Sequence, residues 1–290
     1  MNRWYALLLL FSSVYCYAQP VFDVVQVTTL QAPSGNINEK TDNEIRSFLG
    51  QANVPLQWDQ RHTTIINAAY EERTFRMASI DFDRRFLSAS VLLNHRIILS
   101  DTTKQFLFAA AIRHYGEDDL SPSGRTLTPA FAALYGKQIN ERLMLRLGAY
   151  YSREFFGNFW LPLVGIDWRA SSRLWCWGIL PRYAVADYAL SKRVHACLFY
   201  KGTTDSYRIQ RADYFAIIEG QIRIGLEYYI PRTKFVLIAD AGHSVARQFL
   251  LSDKTSDRGN ELEPSDSWLF RLGIQMRIIT NKRFQGPDDL

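Results

Sequence analysis

The chain has 290 residues, a net charge of +5, 22% charged residues and 14% aromatic residues. Its positive charges are spread along the chain without a basic cluster, which excludes the electrostatic footprint of a nucleic-acid binder. No stretch after the N-terminal segment approaches ~18 consecutive apolar residues, which excludes a membrane-spanning helix and leaves strands to use the aromatic and β-branched side chains.

The first residues read as an export signal. Asn2 and Arg3 give a short positive start, Trp4 to Phe11 an apolar run, and Cys16-Tyr17-Ala18 a small-residue cleavage site before Gln19. The expected organisation is a signal peptide over 1–18, a barrel over 19–280 and a C-terminal tail over 281–290. Export makes a disulfide chemically possible, yet Cys176 and Cys197 are expected as unpaired packing residues. There is no CxxC pair and no His/Cys spacing suited to a metal, so no metal and no cofactor are expected.

From Val21 onward, apolar alternation recurs in segments of strand length. Strands are predicted at 21–32, 44–58, 62–76, 84–98, 103–116, 125–138, 141–155, 160–170, 172–180, 182–190, 193–202, 211–230, 234–250 and 265–279. The last is the clearest. Trp268, Phe270, Leu272, Ile274, Met276 and Ile278 fall on one face, opposite Arg271, Gly273, Gln275 and Arg277.

The connections alternate in length. Those at 59–61, 100–102, 139–140, 171–172, 191–192 and 231–233 are tight, whereas 33–43, 77–83, 117–124, 203–210 and 251–265 are long and polar. Short turns at one rim and long loops at the other characterise outer-membrane barrels, with the short turns facing the periplasm. The predicted fold is therefore all-β: an antiparallel, transmembrane, up-and-down β-barrel of about fourteen strands. The reversal at Leu180-Pro181 decides the number, because twelve follows if 172–190 is one bent strand. Proline disfavours a central ladder position and supports the break.

A charge facing mid-bilayer costs ~2–4 kcal/mol, so the charged faces should point inward. This makes Arg146, Asp167, Arg169, Glu219, Arg223, Glu227, Asp240, Arg271 and Arg277 the lumen-lining candidates. Their signs balance, and the guanidinium fork favours paired geometry, which ranks an ion-paired lining ahead of a selective constriction. Aromatic residues gather at strand ends: Phe155, Phe156, Phe159 and Trp160 beside one connection, Trp168, Trp175 and Trp177 beside the opposite turn. They are expected to form the two interface belts. No catalytic residue is assigned. His243-Ser244 is an adjacent pair, which a strand directs to opposite faces, and no His-x-Ser is present. Asp118, Asp119, Asp253, Asp257, Glu261 and Glu263 read as solvated loop acids, since no EF-hand pattern accompanies them.

The segments Leu161-Pro-Leu-Val-Gly-Ile-Asp-Trp168 and Arg173-Leu-Trp-Cys-Trp-Gly-Ile-Leu-Pro181 also carry a family likeness, together with Asn53-Val-Pro-Leu56 and Phe270-Arg-Leu-Gly-Ile274. In these the chain resembles an uncharacterised, domain-of-unknown-function family of outer-membrane β-barrel proteins of diderm bacteria. The resemblance implies location and architecture and no activity. The chain departs from many barrels in lacking a terminal aromatic residue, since 280–290 extend past the last strand. The functional expectation is a monomeric pore or passive carrier for small solutes, or a structural barrel. Its expected surroundings are outer-membrane lipid and lipopolysaccharide, with the barrel-assembly machinery during biogenesis and no nucleic acid. Two competing expectations are a surface-binding module acting through loops 33–43 and 251–265, and a lipid-modifying hydrolase, for which His114 and His243 are the residues to test.

Overall fold

The computed structural model describes residues 21–33, 43–77, 81–118, 120, 125–209, 214–252, 260–262 and 267–279. The expected signal peptide, the C-terminal tail and most of the long polar loops, including Asp119, Asp253, Asp257 and Glu263, lie outside these residues. All regular structure among the described residues is strand. In chain order these are β1 (Val21–Pro33), β2 (Asn43–Gln57), β3 (His62–Met77), β4 (Phe82–Ile98), β5 (Lys104–Glu117), β6 (Leu127–Asn140) and β7 (Leu143–Glu154). They continue as β8 (Gly157–Arg169), β9 (Leu174–Leu180), β10 (Tyr183–Ala189), β11 (Val194–Arg208), β12 (Tyr214–Tyr229), β13 (Phe235–Ser252), β14 (Asn260–Leu262) and β15 (Trp268–Ile279).

Each wall strand pairs antiparallel with its chain neighbours, and β1 pairs with β15 from Val21↔Ile279 to Gln31↔Phe270. That last ladder closes a fourteen-stranded barrel. The chain does reverse at Leu180-Pro181, between β9 and β10, so twelve strands is overturned. β14 is not part of the wall. It adds three residues to β13 inside a span expected as loop. The tight turn expected at 139–140 is displaced, because β6 runs through Asn140 and the chain turns at Glu141-Arg142.

Alternation sorts the side chains as a barrel in lipid requires. On β12, Ile222, Ile224, Leu226 and Tyr228 stand exposed on the outer face, while Gln221, Arg223 and Glu227 between them are buried. Ile224 is 69% exposed and its neighbour Arg223 only 3%, a contrast that a sheet with water on its polar side would reverse. At the short-turn rim, Asp101 accepts hydrogen bonds from the Thr103 hydroxyl at 2.6 Å and the Thr103 amide at 3.1 Å, and pairs with Lys104 at 2.9 Å. These partners, Thr103 first, pull the Asp101 carboxyl down to about 2. A depressed carboxylate contributes stability above its unfolded pKa and loses it as pH falls through the folded one, so this turn holds through mild acid.

Two expected belts are corrected. Trp175 and Trp177 are cross-strand partners of Arg169 and Asp167, so all four share the inward face. Both tryptophans are buried against Val21 inside the lumen. Phe155 is also buried, and Phe156 and Phe159 pack against inward clusters. Among the described residues, the tryptophans that stand outward are Trp58 and Trp168 toward the short-turn rim and Trp160 and Trp268 toward the other.

The larger correction concerns 203–210. It is not a loop up to Arg208: β11 continues, paired residue for residue with β12 as far as Arg208↔Tyr214. Its other neighbour ends early, because β9 and β10 have seven residues each. Beyond Tyr183↔Lys201 the β11 edge has no β10 partner, and beyond Val164↔Leu180 the β8 edge has no β9 partner. The distal halves of β11, β12 and β13 fold inward from this notch as a tongue, until Arg208 pairs with Gly116 of β5 across the mouth. Tyr214, Phe215, Ala216 and Ile217 are all buried in succession, which alternation forbids for a wall strand and requires for one crossing a filled lumen.

The bend follows one line across three strands. Gly202 pairs with Gly220, and Gly220 with Val245. Next to Val245, Ala246 has φ 54°, and the β12–β13 register slips between Ile218 and Gly220. A Cβ on Gly202 would press on the Pro181 carbonyl, and one on Gly220 would sit 3.0 Å from Val245 Cγ2. Glycine lets the sheet crease here, and the bulge at Ala246 turns it.

The lipid face is directly testable. Ile224→Arg puts a charge on the apolar exterior, and we expect a loss of about 2–4 kcal/mol in denaturant unfolding from lipid vesicles.

Candidate functional site

The candidate site is the lumen, which has two zones. At the long-loop mouth the tongue meets the walls in an aromatic cluster. Phe215 lies 5.3 Å from both Phe75 and Phe86, and Tyr207 lies 4.6 Å from Phe86 between ring centroids. All four side chains are essentially inaccessible.

Polar contacts pin the tip of the tongue. On one side Asp205 accepts from the Tyr115 hydroxyl at 2.8 Å and pairs with Arg73 at 2.9 Å. On the other, the Ser206 hydroxyl donates to Glu154 Oε2 at 2.8 Å and accepts from the Phe155 amide at 3.2 Å. Arg113 holds Glu154 in turn at 2.6 Å. Arg208 stacks on Phe155 at 4.5 Å and donates to the Arg125 carbonyl. Apolar filling and paired charges together close this end.

The zone nearer the short turns is walled by ion pairs. The nine sequence candidates fall into separate groups rather than one ring. Arg146 and Asp167 approach to 3.9 Å across β7–β8, and Asp167 accepts from Trp175 Nε1 at 2.8 Å. Glu219 accepts from Gln221 and from Arg247 Nε, the latter at 2.8 Å. Asp240 lies between Arg223 at 2.9 Å and Arg271 at 2.5 Å, with its own side chain fully buried. Arg277 joins Asp23 at 2.6 Å to Glu227, and also donates to the Tyr229 hydroxyl at 2.8 Å. Arg169 is half-buried where β8 reaches the short-turn rim.

Sequence reasoning missed Glu71, Arg73, Lys201 and Asp205. Glu71, Arg73 and Lys201 line a cavity of about 50 Å³ beneath the tongue, with Ser47, Glu219 and Arg223 among others, and Asp205 reaches Arg73 from the tongue itself. That is room for a few waters. Glu71 and Arg73 were visible as alternate residues leading into Phe75 on β3. Asp205 was hidden because its polar neighbours, Thr203 to Arg208, read as loop.

The residues weighed for hydrolysis point elsewhere. His243 Nδ1 donates to the Ser244 carbonyl at 2.7 Å and its ring meets Trp268 on the outer face. The Ser244 hydroxyl is turned inward to the Ser267 carbonyl at 3.3 Å and amide at 2.8 Å. His114 Nδ1 lies 2.9 Å from the Thr126 hydroxyl. Cys176 and Cys197 are free, the first on the outward row of β9 and the second on the inward row of β11.

A closed cylinder with an oily exterior and charges buried inside defines an outer-membrane β-barrel protein. No protein-family model and no curated protein matches the chain. It is similar in fold to the crystal structure of an outer membrane channel from Pseudomonas putida F1, at 11% identity and TM-score 0.50, covering 91% of this chain and 98% of that one. It also matches the translocator domain of the autotransporter NalP from Neisseria meningitidis, at 11% identity and TM-score 0.42, covering 87% and 88%.

The buried triad around Asp240 makes a sharp prediction. Asp240→Ala leaves Arg223 and Arg271 facing each other without an anion. We expect a loss of about 3–5 kcal/mol in vesicle unfolding, larger than that of Asp240→Asn.

Proposed function

We propose that the protein is a passive pore for small polar solutes, held shut at its outer mouth by the folded-in tongue. One observation carries this reading: the lumen is closed by a creased extension of three strands rather than by the wall itself. Such an element has a second position available, swung back into line with the strands below Gly202 and Gly220. The polar, ion-paired zone beneath is the path that opening would expose, and its balanced signs favour small polar solutes without strong charge selection. The outward arginines near the long-loop rim, Arg46, Arg76 and Arg85, each pair with a carboxylate, of Glu44, Asp83 and Glu72, and their remaining donors suit lipopolysaccharide phosphates on a monomeric barrel delivered by the assembly machinery. No catalytic role is assigned. The P. putida channel supports the architecture of this reading, not its cargo.

Phe215→Asp tests it. A charge at that position costs the closed state about 3 kcal/mol of packing, which shifts the open population on the order of a hundredfold. In planar bilayers the parent protein should stay mostly closed and the variant should conduct far more often. If both remain sealed at all voltages, the barrel is structural and the pore reading fails.

A further inference from the structure

A group of side chains with metal-binding chemistry sits on three adjacent strands and takes no part in closing the mouth. Asp187 of β10 is the cross-strand partner of Cys197 of β11, and His195, two residues earlier on the same face, is the partner of Glu227 of β12. One candidate ligand atom from each of Asp187, Cys197 and Glu227 lies within 4.8 Å of the other two, and all three residues are buried. His195 Nδ1 meets Asp187 Oδ1 at 2.9 Å. Asp187 Oδ2 has no hydrogen-bond partner among the described residues, on a residue with no accessible surface.

An unpartnered carboxylate oxygen at such a place is costly unless a cation meets it. The local charge points the same way. Asp187 and Glu227 stand together at Cys197; Arg277 answers Glu227, and His195 meets Asp187 at Oδ1 only, which leaves Oδ2 for a further cation. A carboxylate has about four acceptor sites, so Glu227 retains capacity beyond its two bonds to Arg277.

We propose that Cys197 Sγ, Asp187 Oδ2 and a Glu227 oxygen bind a borderline-soft divalent cation of the zinc class. Thiolate and carboxylate ligands with one position left for water suit that ion, whereas magnesium and calcium favour oxygen alone. His195 is a positioning residue that orients Asp187 through Oδ1, an outer-shell partner of the kind that tunes metal sites. Tetrahedral bond lengths put ligand atoms about 3.3–3.8 Å apart, so closure from separations of up to 4.8 Å takes a contraction of up to about 1.5 Å. The torsions of Glu227 can supply this. Asp23, joined to Glu227 through Arg277, is 27% exposed and would be the acid that an ion entering from the short-turn rim meets first. A bound ion would tie β10, β11 and β12 together below the crease from which the tongue bends.

The test titrates Co²⁺ into the folded, metal-free barrel in detergent. We expect one equivalent to bind with a thiolate-to-cobalt charge-transfer band in the near ultraviolet, which Zn²⁺ then displaces. Cys197→Ser should abolish the band and Asp187→Asn should weaken binding at least about tenfold. Cys176→Ser should change neither, because Cys176 shares the outward face with Trp168. Heat-modifiable electrophoretic mobility reports folding of each variant. Should Cys197→Ser not fold, alkylation of Cys197 in the parent protein replaces it, and Zn²⁺ should slow that reaction. A parent barrel with no thiolate band, a band that survives in folded Cys197→Ser, or alkylation indifferent to Zn²⁺ overturns the proposal.

Discussion

Hydrocarbon offers a peptide group no hydrogen-bond partner, and the whole molecule is arranged around that fact. A strand in the bilayer needs a neighbour on each side, and a sheet achieves this only by meeting itself. The β1–β15 ladder is where it does so. Once the cylinder is closed, strand alternation leaves each side chain two options, lipid or lumen. The buried arginines and carboxylates, and the exposed isoleucines and leucines beside them, follow from that choice.

The notch beside β9 and β10 is where the rule is strained. Among the described residues two strand edges lose their ladder partners there, on β8 above Val164 and on β11 above Gly202. β11 resolves its share by leaving the wall. Inside the mouth its backbone and side chains find Gly116, Glu154 and Phe155, and its inward row joins the aromatic cluster. The tongue is therefore continuous with the wall, a part of the same sheet turned through a crease. Its stability rests on ring packing and on a few enclosed ion pairs, among them Arg247–Glu219, Arg113–Glu154 and Arg73–Asp205.

The barrel was legible because its signal repeats. All fourteen wall strands were recoverable from period-two alternation, including the difficult pair flanking Pro181, where proline and flanking short runs marked the reversal. Inward faces were legible wherever charge alternated with large apolar residues, as on β12 and β15. The tongue was not, for two physical reasons. Thr203 to Arg208 are polar because they meet polar groups inside the mouth, and composition alone equates that with a solvated loop. Tyr214 to Ile217 are apolar on both faces, which removes the alternation that would have placed them. Trp175 and Trp177 misled for a related reason: tryptophan near a strand end suits a membrane interface, and only their pairing with Arg169 and Asp167 reveals that they point inward. The Asp187–Cys197–Glu227 group was invisible because its members come from three strands, brought together by register rather than by spacing along the chain.

Because the opening and closing strands of the wall are each other's neighbours, the seam joins segments about 250 residues apart in sequence. A chain interrupted before β15 would present two raw borders to the bilayer, each a row of unanswered amides and carbonyls. The strand at 268–279 is thus the keystone of the cylinder, since it answers β1 on one side and β13 on the other.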